Sequence, residues 1–196
     1  MMNISVIGAG YVGLITGIGF AKLNHQVSIV DLNDDLIKNL NENRPPFYEP
    51  ELVDYLNDSN IRNNLFFSTS YQKSINENTD IVFVCVQTPT DPDTGKTKTD
   101  YISSVLTELK KIESFNFIIC IKSTIKATLV EKISNEIDLD YKKIIFNPEF
   151  LREGSAFYDF FNPDRIVIGG SDQKGLNQCT ELYESFDCEK IITDSN

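Results

Sequence analysis

Residues 3–20, NISVIGAGYVGLITGIGF, decide the fold. NISVIG is a short β-rich run, and a helix-length segment follows from Tyr11 to Leu23. Between strand and helix stand Gly8, Gly10 and Gly13. Glycine costs backbone entropy in either element, so three at one turn imply a geometric requirement. In a βαβ unit the pattern Gly-x-Gly-x-x-Gly meets one. The first glycine makes the tight turn, the second lets backbone approach a pyrophosphate, and the third lets the helix pack on the strand. The pyrophosphate then rests on the helix N-terminus, where free N–H groups and the helix dipole favour negative charge. The next strand, QVSIVD, ends in Asp31. That acid lies about 20 residues on, the distance expected for a carboxylate that binds the adenosine ribose hydroxyls. Leu32, Asn33, Asp34 and Asp35 follow, with no basic residue before Lys38. A 2′-phosphate has no cationic partner there, so the cofactor expected is NAD rather than NADP.

The same alternation continues along the chain. NDDLIKNLNEN has helical spacing, RPPFYEPEL breaks regularity with three prolines, and a short helix is expected over Glu51–Leu56. NLFFST and DIVFVCV read as the third and fourth strands, the latter apolar throughout, as a strand buried on both faces should be. A long polar loop, QTPTDPDTGKTKTD, leads to a helix that Thr99-Asp100 can cap and that runs to Lys111. Then come strand FNFIICIKST (115–124), helix LVEKISNEI, strands KKIIFNP and PDRIVIGG, a helix over Gln173–Glu184 and strand EKIITD. Alternating strands and helices predict an α/β, doubly wound, mostly parallel sheet with helices on both faces, of Rossmann type. One domain is expected to fill residues 1–196.

Composition narrows the partners. The formal net charge is −11, which argues against nucleic acid. No apolar run is long enough to span a membrane, and the first residues lack a signal-peptide pattern. The four cysteines, Cys85, Cys120, Cys179 and Cys188, have no metal-ligand spacing, so no metal site is expected. Cys85 and Cys120 lie in apolar runs and read as buried free thiols of a cytoplasmic protein. Cys179 and Cys188 could pair. The single histidine, His25, reads as a surface turn residue, which leaves no histidine for catalysis.

Ligands of open α/β sheets bind beyond the carboxyl ends of the strands. The loops to inspect are therefore Val86–Thr90 (VQTPT), Lys122–Thr124 (KST) and Asn147–Gly154 (NPEFLREG). The last carries Glu149 and Glu153, which share one face if the segment is helical. An acidic first turn of a helix would account for the pair equally well.

GAGYVGL, FYEPEL, VQTPT, KST and above all NPEFLREGSAFYDFFNPDRIVIGG resemble the nucleotide-sugar 6-dehydrogenases, the UDP-glucose/GDP-mannose dehydrogenase family. The likeness runs from Ile4 to about Gly170 and is nearest to the members acting on UDP-glucose. It implies NAD-dependent oxidation of the sugar C6 alcohol to a carboxylate, with two NAD and one water, in a pathway feeding polysaccharide biosynthesis. It also implies roles. Gly8, Gly10, Tyr11, Val12, Gly13 and Asp31 would hold NAD. Val86, Thr88, Pro89 and Thr90 would line its path, and Ser123 and Thr124 would lie near the nicotinamide. Phe150 and Leu151 would contact the substrate. Glu149, with Thr124, would position or deprotonate water, and Glu153 would sit close to the nicotinamide. A carboxylate beside a bound sugar in a partly dry site is suited to general-base work, a catalytic part open to Glu149 and Glu153 alike.

Two local departures stand out: Leu36 where a basic residue is usual, and STIKATL in place of a Pro-Val-Gly-Thr continuation. The family mechanism also uses a cysteine nucleophile in a glycine-rich loop, with a lysine, an asparagine and an aspartate. No such loop occurs here. The resemblance therefore implies an N-terminal NAD-binding domain, without the family's central helix and C-terminal domain, inactive alone, whose parent is a homodimer or larger. Dehydrogenation of another nucleotide sugar (GDP-mannose or a UDP-N-acetyl sugar) and a non-catalytic NAD-sensing module remain alternatives.

Overall fold

A computed structural model describes residues 1–112 and 116–194 of the chain. Phe115, at the head of the fifth strand expected, and Ser195 and Asn196, at the end of the domain expected, lie outside the described residues. The strands are β1 (Asn3–Ile7), β2 (Gln26–Val30), β3 (Leu65–Ser68), β4 (Ile81–Val84), β5 (Ile118–Ile121), β6 (Ile144–Phe146), β7 (Arg165–Gly169) and β8 (Glu189–Thr193). They form one sheet in the order β3-β2-β1-β4-β5-β6-β7-β8. Pairing is parallel from β3 to β6, antiparallel between β6 and β7, and parallel again between β7 and β8.

The helices are α1 (Tyr11–Lys22), α2 (Asp34–Asn41), α3 (Leu52–Asn57), α4 (Ser59–Arg62), α5 (Tyr71–Ser74), α6 (Asp100–Lys110), α7 (Ala127–Glu136), α8 (Ala156–Phe161) and α9 (Gln173–Leu182). A 3-10 turn spans Tyr141–Lys143. Helices α4, α5 and α8 have no counterpart in the sequence reading; four to six residues are too few to display a helical period. Thr99 does occupy the N-cap position of α6, but its side chain caps nothing.

Strand side chains alternate between two cores, as the two-residue period requires. Ile81 and Phe83 of β4 face one core and Val82 and Val84 the other; Ile118 and Cys120 of β5 part from Ile119 and Ile121 in the same way. The first core receives α1, α2, α3, α4, α8 and α9, and the second receives α5, α6 and α7. Helix α1 is apolar nearly all round and is buried from Gly13 to Ala21. Its Phe20 ring lies 5.5 Å from Phe83, 5.2 Å from Phe160 and 5.5 Å from Tyr183, joining α1, β4, α8 and the end of α9.

One registration governs the site. Ile7 pairs with Val84, Val84 with Ile121, and Ile121 with Phe146. Four parallel strands thus end level, and the loops leaving them stand side by side. Strand order reverses between β1 and β4, which is where such sheets open a crevice.

Candidate functional site

The glycine-rich turn sits at that reversal. Gly8 has φ +101°, a backbone conformation open to glycine and strained for other residues. A Cβ there would also stand 2.7 Å from the Cys85 carbonyl oxygen. The Gly8 amide donates to Val30 O at 2.7 Å, tying the turn to β2. A Cβ on Gly13 would collide with the Gly8 carbonyl oxygen and crowd Cys85 Cβ at 3.1 Å. Over Gly10, by contrast, a Cβ would meet nothing within 4 Å. The turn is thus packed tight at its first and third glycines and open at its second, the space a pyrophosphate needs. Gly10 is also the N-cap of α1, with no side-chain cap and no acid in the first turn, so the helix's first amides face that space.

Asp31 stands at the end of β2 with both carboxylate oxygens engaged. Oδ2 accepts from the Ala9 amide at 2.9 Å and Oδ1 from the Asn33 amide at 3.0 Å. The Asp31 carboxylate and the glycine-rich turn are therefore one hydrogen-bonded unit. Leu32 is largely exposed beside it, and Leu36 packs against the core. Tyr11 and Val12, the first residues of α1, are half-buried.

The loops after β4 and β5 are knitted together. Ser123 Oγ donates to Val86 O at 2.6 Å, and Thr88 Oγ1 donates to Thr124 O at 2.8 Å. Pro89 O accepts from the Lys98 amide at 2.8 Å, and Thr90 bridges antiparallel to Thr97. The long polar loop is thus a folded excursion whose base carries Thr88, Pro89 and Thr90. Asp91 organises its tip by accepting from Asp93 and Thr94, which holds its carboxyl below the usual range. Helix α7 begins after Lys126, two residues beyond Thr124.

The third loop is not helical over 147–154, so the condition for its two glutamates to share a helical face is not met. Pro148 brings no amide to a helix, Glu149 Oε2 turns back to accept from the Leu151 amide at 2.6 Å, and Gly154 has φ +87°. Glu149 is half-buried in the extended part and Glu153 is exposed in the turn, so helical spacing does not pair them. Arg152 fixes the turn by donating to Asp159 from its amide, Nε and Nη2. The guanidinium keeps the Asp159 carboxyl below its ordinary range. The Phe150 ring is half exposed and lies 4.8 Å from the Arg165 guanidinium. Leu151 packs on the core. A cavity of about 470 Å³ opens along this loop, reaching Thr16, Lys122 and Glu149. Its size is that of a small-molecule site.

Three residues of this region escaped the sequence reading. Glu49 is 3% exposed and accepts hydrogen bonds from Tyr11, Gly154 and Ala156. Lys122 is buried and donates to Asn147 Oδ1 at 3.1 Å, which also accepts from Tyr183 at 2.6 Å. Asn147 and Lys122 lie in segments already singled out, where apolar neighbours marked burial. Glu49 lay in FYEPEL with no local signal of its partners.

All four cysteines are free, so the pairing of Cys179 with Cys188 is not made. Burial pushes the Cys85 thiol up to about 12 and Cys120 well above its ordinary value, and neither is a ready nucleophile. His25 is not a freely exposed turn residue: its Nδ1 accepts from the Met2 amide at 3.1 Å and its ring edges Phe20 at 5.9 Å. Among the described residues no helix is long and apolar enough to cross a membrane, and no group of three potential metal ligands gathers.

Residues 2–187 match the model of the UDP-glucose/GDP-mannose dehydrogenase family, NAD binding domain. The chain is 34% identical over 201 residues to a UDP-glucose 6-dehydrogenase of Bacillus subtilis, covering 98% of this chain and 44% of that protein. Among solved structures, a UDP-glucose dehydrogenase from Pyrobaculum islandicum superposes with TM-score 0.88 at 33% identity, covering 100% of this chain and 47% of the other. A ternary complex of GDP-mannose dehydrogenase from Pseudomonas aeruginosa gives TM-score 0.88 at 27% identity, covering 99% and 47%. The chain thus spans less than half the length of these relatives.

Proposed function

The chain belongs to the UDP-glucose/GDP-mannose dehydrogenase family through its NAD-binding domain, and from that premise we propose that it holds NAD and one wall of the substrate site for the oxidation of UDP-glucose to UDP-glucuronate. The carrying observation is the turn closed at Gly8 and Gly13, open at Gly10 and locked to the Asp31 carboxylate. Bound NAD accepts hydride, and the overall conversion of alcohol to carboxylate consumes two NAD and one water. In this reading Gly8, Gly10, Tyr11, Val12, Gly13 and Asp31 bind the dinucleotide. Val86, Thr88, Pro89, Thr90, Ser123, Thr124 and Glu153 guide its nicotinamide half, while Phe150 and Leu151 bear on the sugar. Glu149 and Thr124 hold the attacking water, and Glu149 takes its proton.

UDP-glucose is favoured over GDP-mannose by the text of NPEFLREG with PDRIVIG and by identities of 34% and 33% against 27%. The nucleophile that carries the second oxidation lies outside these 196 residues, in the remainder of a longer, oligomeric enzyme. Four free thiols support a reducing, cytoplasmic setting.

Calorimetry with NADH and NADPH tests the reading. NADH is expected to bind this chain at least about tenfold more tightly, because Asp31 and its acidic neighbours repel a 2′-phosphate. Asp31→Asn should weaken NADH binding and narrow the gap. Equal or tighter NADPH binding overturns the cofactor assignment. The chain alone, given UDP-glucose and NAD, is expected to yield no UDP-glucuronate; steady NADH production would show that the catalytic groups have been misplaced.

A further inference from the structure

The irregular stretch 44–51, with its proline pair Pro45-Pro46 and Pro50, has no residue assigned to cofactor or substrate, yet it delivers Glu49 to the interior. Among the described residues Glu49 is the one carboxylate that is buried. Desolvating a carboxylate costs several kcal/mol unless its acceptor sites are filled, and here they are. Oε2 accepts from Tyr11 Oη at 2.9 Å and from the Gly154 amide at 2.8 Å; Oε1 accepts from the Ala156 amide at 2.8 Å.

These donors come from two places that matter. Gly154 and Ala156 close the loop of Glu149 and Glu153 and open α8, whose first amides otherwise lack partners. Ser155, the local cap residue, does not supply them: its hydroxyl goes to Asp159 at 3.2 Å. Tyr11 is the first residue of α1, directly after Gly10. Its hydroxyl also reaches Arg152 O at 3.1 Å, and its ring stands 5.1 Å from that of Phe47. Burial and the Glu49 carboxylate raise the Tyr11 pKa, so the phenol stays a donor throughout the working pH range.

We propose that Glu49 is a positioning residue that joins the dinucleotide turn, through Tyr11, to the loop carrying Glu149 and Glu153, so that filling the turn orders the loop. The proposal rests on the reading that this loop faces the substrate. Linkage makes the effect mutual: a loop freed from Glu49 releases Tyr11 and weakens dinucleotide binding by the same factor.

Hydrogen-exchange mass spectrometry on the 196-residue chain, with and without saturating NADH, tests it. In the wild type NADH should slow exchange in peptides covering 150–157. Glu49→Gln replaces one acceptor by a donor, and should speed exchange there about tenfold without ligand, the scale of one lost hydrogen bond to a charged group. Peptides covering 81–85 and 118–122 should not change. Tyr11→Phe keeps both amide bonds to Glu49 and loses only the hydroxyl's contacts with Glu49 and Arg152 O, so its exchange without ligand should rise less than in Glu49→Gln, while the response to NADH, read at a concentration that calorimetry shows to saturate the variant, is lost. A purely structural role for Glu49 would not produce that split. Unchanged exchange at 150–157 in Glu49→Gln, an equal rise in the core peptides, or a preserved NADH response in Tyr11→Phe each overturns the proposal. If Glu49→Gln does not fold, Tyr11→Phe alone decides. A wild type that binds no NADH in calorimetry sinks the dinucleotide reading and the coupling with it, whereas exchange without ligand still decides whether Glu49 holds the loop.

Discussion

Gly10 and Gly13 stand three residues apart in one turn, and substitution should separate them cleanly. Gly10 has φ −73°, which suits any residue, and open space where its Cβ would go. Gly10→Val should therefore keep the fold, with a thermal midpoint near wild type, and abolish NADH binding by filling the pyrophosphate position. Gly13→Ala instead drives a methyl into the Gly8 carbonyl. Overpacking of that severity costs about 3 kcal/mol or more, which for a chain of this size lowers the midpoint by about 6–12 °C. Calorimetric binding and a thermal melt on each variant distinguish them. A Gly10→Val protein that still binds NADH would make the motif structural only. The tight packing at Gly8 and Gly13, the open space at Gly10 and the strand-end position of Asp31 were legible, because these depend on spacing within one βαβ unit. It could not supply Glu49, whose amide partners lie 105 and 107 residues further along the chain.

At the scale of elements, the junction of α1 and β2 carries a pH dependence. Burial, then the N-terminal ammonium, lower the His25 pKa from 6.5, while Asp80 opposes them weakly. The unfolded chain therefore binds the proton more readily than the folded one. The stability from neutral His25 is complete above pH 6.5 and is lost as pH falls through 6.5 toward the lower folded value. Protonation also turns Nδ1 from acceptor to donor, against the Met2 amide that it now accepts from. Thermal midpoints should fall between pH 7.5 and 5.5 in the wild type and fall less in His25→Gln; parallel profiles would deny His25 this role. The long elements were legible because apolar runs and helical periods announce them. The orientation of β7 was not, since RIVIG reads alike in either direction relative to its neighbour. NPEFLREG was legible as a loop, with Pro148 and Gly154 as the signs of its turn, and its Glu-x-x-x-Glu spacing carries no helix.

Across the whole molecule, the parallel and antiparallel parts of the sheet meet at a narrow seam. Strands β6 and β7 share a single paired position, Phe146 with Gly169. Asn147 reinforces it: Nδ2 donates to Val167 O at 2.9 Å, and Oδ1 accepts from Lys122 Nζ and from Tyr183 Oη. Asn147→Ala leaves buried Lys122 and Tyr183 and the part-buried Val167 carbonyl without their partner, at about 1–3 kcal/mol for each buried group. Urea unfolding should show a loss of about 3 kcal/mol or more, and about 1 kcal/mol for Tyr183→Phe. A midpoint unmoved by Asn147→Ala would mean that the aromatic cluster around Phe20 holds the seam unaided.

The strand order has a consequence for how the chain is made. β1 leaves the ribosome before the other strands of this sheet, yet it lies in the middle, between β2 and β4. β2 arrives soon after. Residues Ile81–Val84, which cover the other edge of β1, follow only after several seconds at ~5–20 residues per second. Throughout that wait the nascent chain presents the unpaired backbone N–H and C=O groups along one edge of β1, an invitation to pair wrongly. The DIVFVCV run that closes this gap is therefore a timing element as much as a structural one, and translation pauses before it would prolong the exposure.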